Sequence, residues 1–241
     1  MIREFPKQPA ATGRLVMRQA RKAVLAGIGH KASKKDGGWP RASLVTTACD
    51  HDGPPILLLS DIALHSRDLK DDNRVSLLFD AADGHANPQQ APRISVMGRV
   101  KKTKDTDMGR RFLARHPGAT LYAPFGDFNF FRMEMACAHY VGGIGIAVWL
   151  EGKELLLPSR PAQTVRRAEV GILEEMNAGA APIPRLLGRR IVSRRDKHWR
   201  MIGLDPEGCE LVCGQGFHYL PFLKTAKNSA ACRRAIRDLA K

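Results

Sequence analysis

The segment from Ser60 to Arg67 places two hydroxyls, an imidazole and a guanidinium (Ser60, His65, Ser66, Arg67) at one junction between an apolar run and a helical one. Cations and hydroxyl donors that converge beside a helix N-terminus suit an anion, because charge-assisted hydrogen bonds then add to the positive end of the helix dipole. Arg41 and Ser43, on the strand expected to face this turn, offer a second set of the same type. Other chemistries that spacing announces are missing: the sequence has no Gly-x-Gly-x-x-Gly after a strand, no Gly-Lys-Ser/Thr loop, no His-Glu-x-x-His and no Gly-x-Ser-x-Gly. Gly142-Gly143-x-Gly145 suits close strand packing rather than nucleotide binding. The five cysteines (Cys49, Cys137, Cys209, Cys213, Cys232) form no Cys-x-x-Cys pair and have no histidine at zinc-finger spacing, so they read as reduced thiols. Cys209 and Cys213 share one strand face, which leaves a redox pair as the minor alternative.

The elements that must position the anion-binding set follow from periodicity. Ala10 to Lys22 has helical spacing, and Ala23 to Ile28 reads as the first strand, followed by a hairpin-like connection from His30 to Gly38. Arg41 to Cys49 and Pro54 to Ser60 flank the turn Asp50-His51-Asp52-Gly53 and make a hairpin, with the second strand apolar enough to be buried on both faces. A helix is expected over Asp61 to Asp71 with Ser60 or Asp61 as its N-cap, then a strand over Val75 to Phe79. Arg93 to Lys102 is a long strand with a bulge or close approach at Gly98, Met108 to His116 a helix, and Phe128 to Val141 one or two strands broken near Cys137. Beyond a linker at Glu151 to Ala162, a helix over Thr164 to Asn177, a hairpin about Asp205-Pro206-Glu207-Gly208 and a closing helix over Ser229 to Ala240 make a small α+β unit. Some six strands with short helices between them favour a closed antiparallel barrel.

Bulk properties narrow the class further. A hydrophobic share of 44% in 241 residues supports a packed core. The longest apolar run, Pro55 to Leu59, falls far short of the ~20 residues of a membrane helix, and the start lacks the apolar stretch of a secretory signal, so a cytoplasmic location is expected. The formal charge of +15 is spread along the chain without an aromatic-basic stripe, which points to a solvated basic surface or a small anionic ligand and away from nucleic acid.

The ordered series Ala42-Ser43-Leu44-Val45, Asp50-x-Asp-Gly, Leu57-Leu58-Leu59-Ser60-Asp61, His65-Ser66-Arg67-Asp68-Leu69 and Arg74-Val75-Ser76-Leu77-Leu78 resembles the pyridoxamine-phosphate-oxidase-like FMN-binding split barrels. Within that group it is most similar to the heme-utilisation branch, and Arg93 to Val100, Arg115-His116-Pro117, Phe125-Gly126-Asp127-Phe128 and Val141-Gly142-Gly143 extend the likeness. The resemblance implies an α+β chain: an antiparallel six-stranded split β-barrel over residues 1–157 and a small C-terminal α+β domain over 163–241. It implies FMN at the seam of a two-fold homodimer, with Arg41, Ser43, Ser60, His65, Ser66 and Arg67 around the phosphate and Arg93 near the flavin ring. The implied activity is that of an FMN-dependent oxidoreductase, heme breakdown included; the alternative is a non-catalytic carrier or regulatory module that holds flavin or heme.

Three departures bear on that expectation. His65 stands where oxidase relatives carry lysine or arginine, and serves the phosphate in its protonated form. Ile146 stands where relatives carry an arginine, and Glu174 to Gly179 lacks the histidine of the corresponding motif. For heme, His218, His139 and His116 are the candidate iron ligands.

Overall fold

A computed structural model describes residues 8–29, 37–179, 183–191 and 198–241. Most of the expected connection from His30 to Gly38 lies outside the described residues. The chain divides into two compact units, residues 1–156 and 157–241.

In the first unit, helix α1 (Pro9–Gln19) leads into strands β1 (Lys22–Ile28), β2 (Pro40–Cys49) and β3 (Pro55–Ser60), then helix α2 (Leu64–Asp71), strands β4 (Arg74–Asp80) and β5 (Arg93–Thr103), helix α3 (Thr106–Arg115), and strands β6 (Phe128–Gly143) and β7 (Ile146–Glu151). All pairings are antiparallel, in the order β3-β2-β1-β4-β5-β6-β7, and β3 also pairs with β6. Six strands therefore close into a barrel and β7 is appended to it, the split-barrel arrangement expected above. Closure removes the exposed sheet edge that a strand of β3's apolar character would otherwise present.

The strands alternate as a one-sided sheet must. In β4, Val75, Leu77 and Phe79 are buried, while Arg74, Leu78 and Asp80 are not. With Ile94, Val96, Leu57, Met133 and, from α1, Val16 and Met17, they fill the barrel. Burial of each such side chain stabilises the fold by about 1.5–3 kcal/mol. Of the one or two strands expected over Phe128 to Val141, the structure forms one, β6, continuous past Cys137. Its N-terminal part pairs with β3 and its C-terminal part with β7, while β5 runs along it. The local signal behind the expected break is a bulge: Met97 faces Cys137 and Gly98 faces Met135, leaving Ala136 as the extra residue. Gly98 is needed there, since a side chain would run into the Glu134 carbonyl.

The stretch expected as a linker is largely structured. A 3-10 turn, Gly152–Leu155, brings Leu155 into the barrel core, and helix α4 (Ser159–Asn177) starts earlier than its periodicity suggested because Pro161 sits in its first turn, where proline costs no hydrogen bond. The second unit continues with helix α5 (Ile183–Ile191), a meander of β8 (Arg200–Asp205), β9 (Gly208–Cys213) and β10 (Gly216–Pro221), and helix α6 (Ser229–Ala240). Val165, Ile172, Leu204, Leu211 and Ile236 form its core. α5 is an addition to the expected helix–hairpin–helix. Among the described residues no helix is long and apolar enough to cross a membrane.

Candidate functional site

β2 carries Arg41 and Ser43 on the same face as the buried Val45 and Thr47, while Ala42, Leu44 and Thr46 are exposed. Beside this face, β3 ends at Ser60 and the chain turns into α2. The helix starts later than expected, with Ala63 at the N-cap position and no side-chain cap. Neither predicted cap is available. Ser60 Oγ donates to Asp127 Oδ2 at 2.5 Å and accepts from the Ile62 N–H. The Asp61 carboxylate takes Lys102 Nζ at 3.0 Å and Asn129 Nδ2 at 3.0 Å, and the lysine holds its carboxyl below the ordinary value.

The structure brings Arg41 and His65 together around Asp68, with Ser66 buried next to His65 on the same helical turn. Arg41 Nη1 lies 3.1 Å from Asp68 Oδ2, and the Asp68 side chain is only 6% exposed. Burial lowers the pKa of the His65 imidazole, against the raising influence of Asp68 and with Arg41 lowering it further. In the unliganded chain desolvation thus disfavours the charged ring that a phosphate would need from His65. The Ser66 hydroxyl and His65 Nε2 are buried without a hydrogen-bond partner among the described residues. A buried polar atom left unpaired costs about 1–3 kcal/mol, so two in adjacent residues mark a place where a ligand oxygen fits.

The remaining predicted residues stand apart from this set. Arg67 is on the exposed face of α2. Ser43 shares the Arg41 face, opposite Leu25 of β1. Arg93 donates to Gln89 O at 3.2 Å, Gln89 Oε1 at 3.2 Å and Ala91 O at 3.4 Å, and so secures the short turn Pro88–Gln90. Asp68 was not foreseen; it reads as one more solvent-facing charge in a charged helix, and only the fold brings it to Arg41.

Of the three candidate iron ligands, His116 is committed: its Nε2 is 2.9 Å from the Thr47 carbonyl and its ring packs 4.7 Å from Phe112. His139 lies on the outer face of β6, 4.9 Å from Trp149. His218 packs against Trp199 in the second unit. Ile146 is half exposed on β7, and Glu175, in the segment without histidine, is bound by Arg233 and Arg237 of α6. No group of metal-binding side chains occurs among the described residues. Of the Cys209–Cys213 alternative, Cys209 is fully buried, and burial pushes its thiol far up, as it does that of neighbouring Cys232 to about 12, which disfavours the reactive thiolate.

A wide groove of about 690 Å³ lies against α3, lined by Lys104, Arg110, Leu113 and Phe130 among others. Its walls are mainly apolar and it shares no residue with the cluster of Arg41, His65 and Asp68, so size alone does not make it the chemical site.

A family description, the CREG β-barrel, matches residues 4–156. Over 118 residues the chain is 37% identical to the chloroplastic heme oxygenase HOZ of Arabidopsis thaliana, a match that covers 48% of this chain and 36% of that protein. The chain thus spans only about a third of that relative's length. Among solved structures, Atu2129 of Agrobacterium tumefaciens, a protein of unknown function, superposes with a TM-score of 0.77 at 21% identity over 97% of this chain and 95% of its own. A heme binding protein from Mycobacterium smegmatis superposes with a TM-score of 0.57 at 22% identity over 98% of both chains. At these identities the structural likeness is one of fold.

Proposed function

Because the chain belongs to the CREG β-barrel family, we propose that its barrel binds a planar anionic cofactor, heme in the first place, at the β3–α2 turn. The observation that carries this reading is the pair of buried polar atoms without partners, Ser66 Oγ and His65 Nε2, on the turn of α2 whose Asp68 holds the guanidinium of Arg41. Heme takes precedence over FMN because the relative that is 37% identical is a heme oxygenase by name. Arg41 attracts an acidic edge of the cofactor and Ser66 donates to its oxygen. Bound heme would supply the redox chemistry of its iron; the protein's contribution is orientation and a partly dry pocket.

A second copy of the chain completes the site in this reading. Strand register aligns Leu44, Val24, Leu78, Ser95, His139 and Trp149 in one row across β2, β1, β4, β5, β6 and β7. Leu44 is 72% and Trp149 66% exposed, and an outer sheet face that exposes apolar side chains at both ends of such a row is the kind of surface that a two-fold partner covers.

The test is an absorbance titration of the purified chain with hemin, together with its mass in solution. A saturable Soret shift, weakened in Arg41→Ala, on a protein of twice the chain mass is the expected result; no shift would refute the heme reading. A flavin-dependent oxidoreductase is the second reading, favoured by the hydroxyls of the same turn. Bound FMN bleached by reduced nicotinamide nucleotide would establish it instead.

A further inference from the structure

The charges clustered about Arg41 select among anions, an inference that rests on the cofactor reading just given. Arg41 contributes one positive charge. Asp68, 3.1 Å away and almost fully buried, returns a negative one to the same small volume. His65, close enough to feel both charges, adds a ring whose Nε2 is buried without a partner, and the hydroxyl of the adjacent Ser66 is buried without one as well. The other cation of the turn, Arg67, is exposed and screened by solvent. The first turn of α2 adds little of its own, since the Ser66 and Arg67 N–H groups both already donate to the Ala63 carbonyl.

We propose that this pocket is a carboxylate site, which takes a singly charged group such as a propionate side chain and rejects a phosphate dianion, and that Asp68 is the residue that sets this preference. A dianion seated by Arg41 would face the Asp68 carboxylate across a partly buried space, where like charges repel far more strongly than in water. One guanidinium, already paired, does not offset two ligand charges. A carboxylate fits the inventory: its single charge is met by Arg41, and its oxygens match the Ser66 hydroxyl and the His65 ring nitrogen. The preference also agrees with burial, which keeps His65 from adding a second positive charge.

The experiment compares hemin, FMN and riboflavin on the full-length chain and on two variants, Asp68→Asn and His65→Lys, each first shown by its melting transition to be folded. Riboflavin lacks only the phosphate, so the ratio of FMN to riboflavin affinity reads what the pocket makes of a dianion. The wild type is expected to bind hemin and to bind FMN no tighter than riboflavin. Each variant shifts the pocket by one unit of positive charge and is expected to raise the FMN-to-riboflavin ratio by about tenfold or more, with little change for hemin. A wild-type ratio already near tenfold, or no rise in either folded variant, would overturn the proposal while leaving heme binding intact. Failure of hemin to bind would remove the reading it rests on, and the variant ratios would still score the charge preference on their own.

Discussion

The barrel holds two groups of buried polar side chains, and they differ in what their atoms touch. At the β2–β3 turn, Arg115 Nη2 donates to the Arg18 carbonyl at 2.7 Å, Arg111 Nε to the Cys49 carbonyl at 3.1 Å, and Arg132 to Asp50 at 3.0 Å and to Asp52 at 2.7 Å. Each of these side chains holds a partner supplied by the chain itself, and together they tie α1, the β2–β3 turn, α3 and β6. At the β3–α2 turn the Arg41–Asp68 pair is likewise internal, yet beside it a hydroxyl and a ring nitrogen are buried with none. Positive charge alone does not identify a ligand site. The first group is richer in arginine and leaves a single carboxylate oxygen, Asp52 Oδ1, unpaired beside its ion pairs; the second leaves a hydroxyl and a ring nitrogen of adjacent residues unpaired.

Four substitutions would break or sharpen that contrast. Arg115→Met should have the largest effect, a loss of about 4 kcal/mol in denaturant unfolding, because it strips buried carbonyls of Arg18 and Ala20 of a charged donor. Asp50→Asn should cost about 2–3 kcal/mol at neutral pH by weakening a buried ion pair. Burial raises the pKa of Asp50, but hydrogen bonds from His51 and Arg132 outweigh it and hold the folded value well below the ordinary 3.8. The stability that follows from this depression is present above the unfolded value and lost as pH falls through the folded one. The difference between wild type and Asp50→Asn should therefore shrink in melts run progressively below pH 4. Ligand affinity should hardly change in either variant.

Ser66→Ala should behave in the opposite way. Removal of a buried hydroxyl that has no partner should stabilise the unliganded protein by about 1 kcal/mol, read as a higher melting temperature, while ligand affinity falls. Arg67→Ala, on the exposed face of α2, should change stability by less than about 0.5 kcal/mol and binding not at all. A strong loss of affinity in Arg67→Ala would return the site to the wider set expected from sequence.

The barrel was legible because its signals are local. Alternation in Arg74 to Asp80, the Asp-x-Asp-Gly turn and the apolar run before Ser60 each declare a strand or its end, and Gly98 announced its close approach. β6 was left as one or two strands because what decides it is the register opposite Gly98, where the bulge falls on Ala136 without ending the strand. α5 escaped because Pro184 reads as a breaker unless the first turn of the helix is already known. The site was legible in its residue types and not in its partners. Ser60, Arg67 and Arg93 have the right chemistry, but Asp127, solvent and Gln89 respectively take them up, and the role of Asp68 depends on a contact between β2 and α2.

The central claim is that unpaired buried atoms at the β3–α2 turn exist for a ligand. Hemin titrations of wild type and Ser66→Ala, followed by Soret absorbance, test it most directly. The account predicts saturable binding by the wild type and about tenfold weaker binding by the variant, the loss of one hydrogen bond to a charged group. Equal affinity in the two proteins would contradict it.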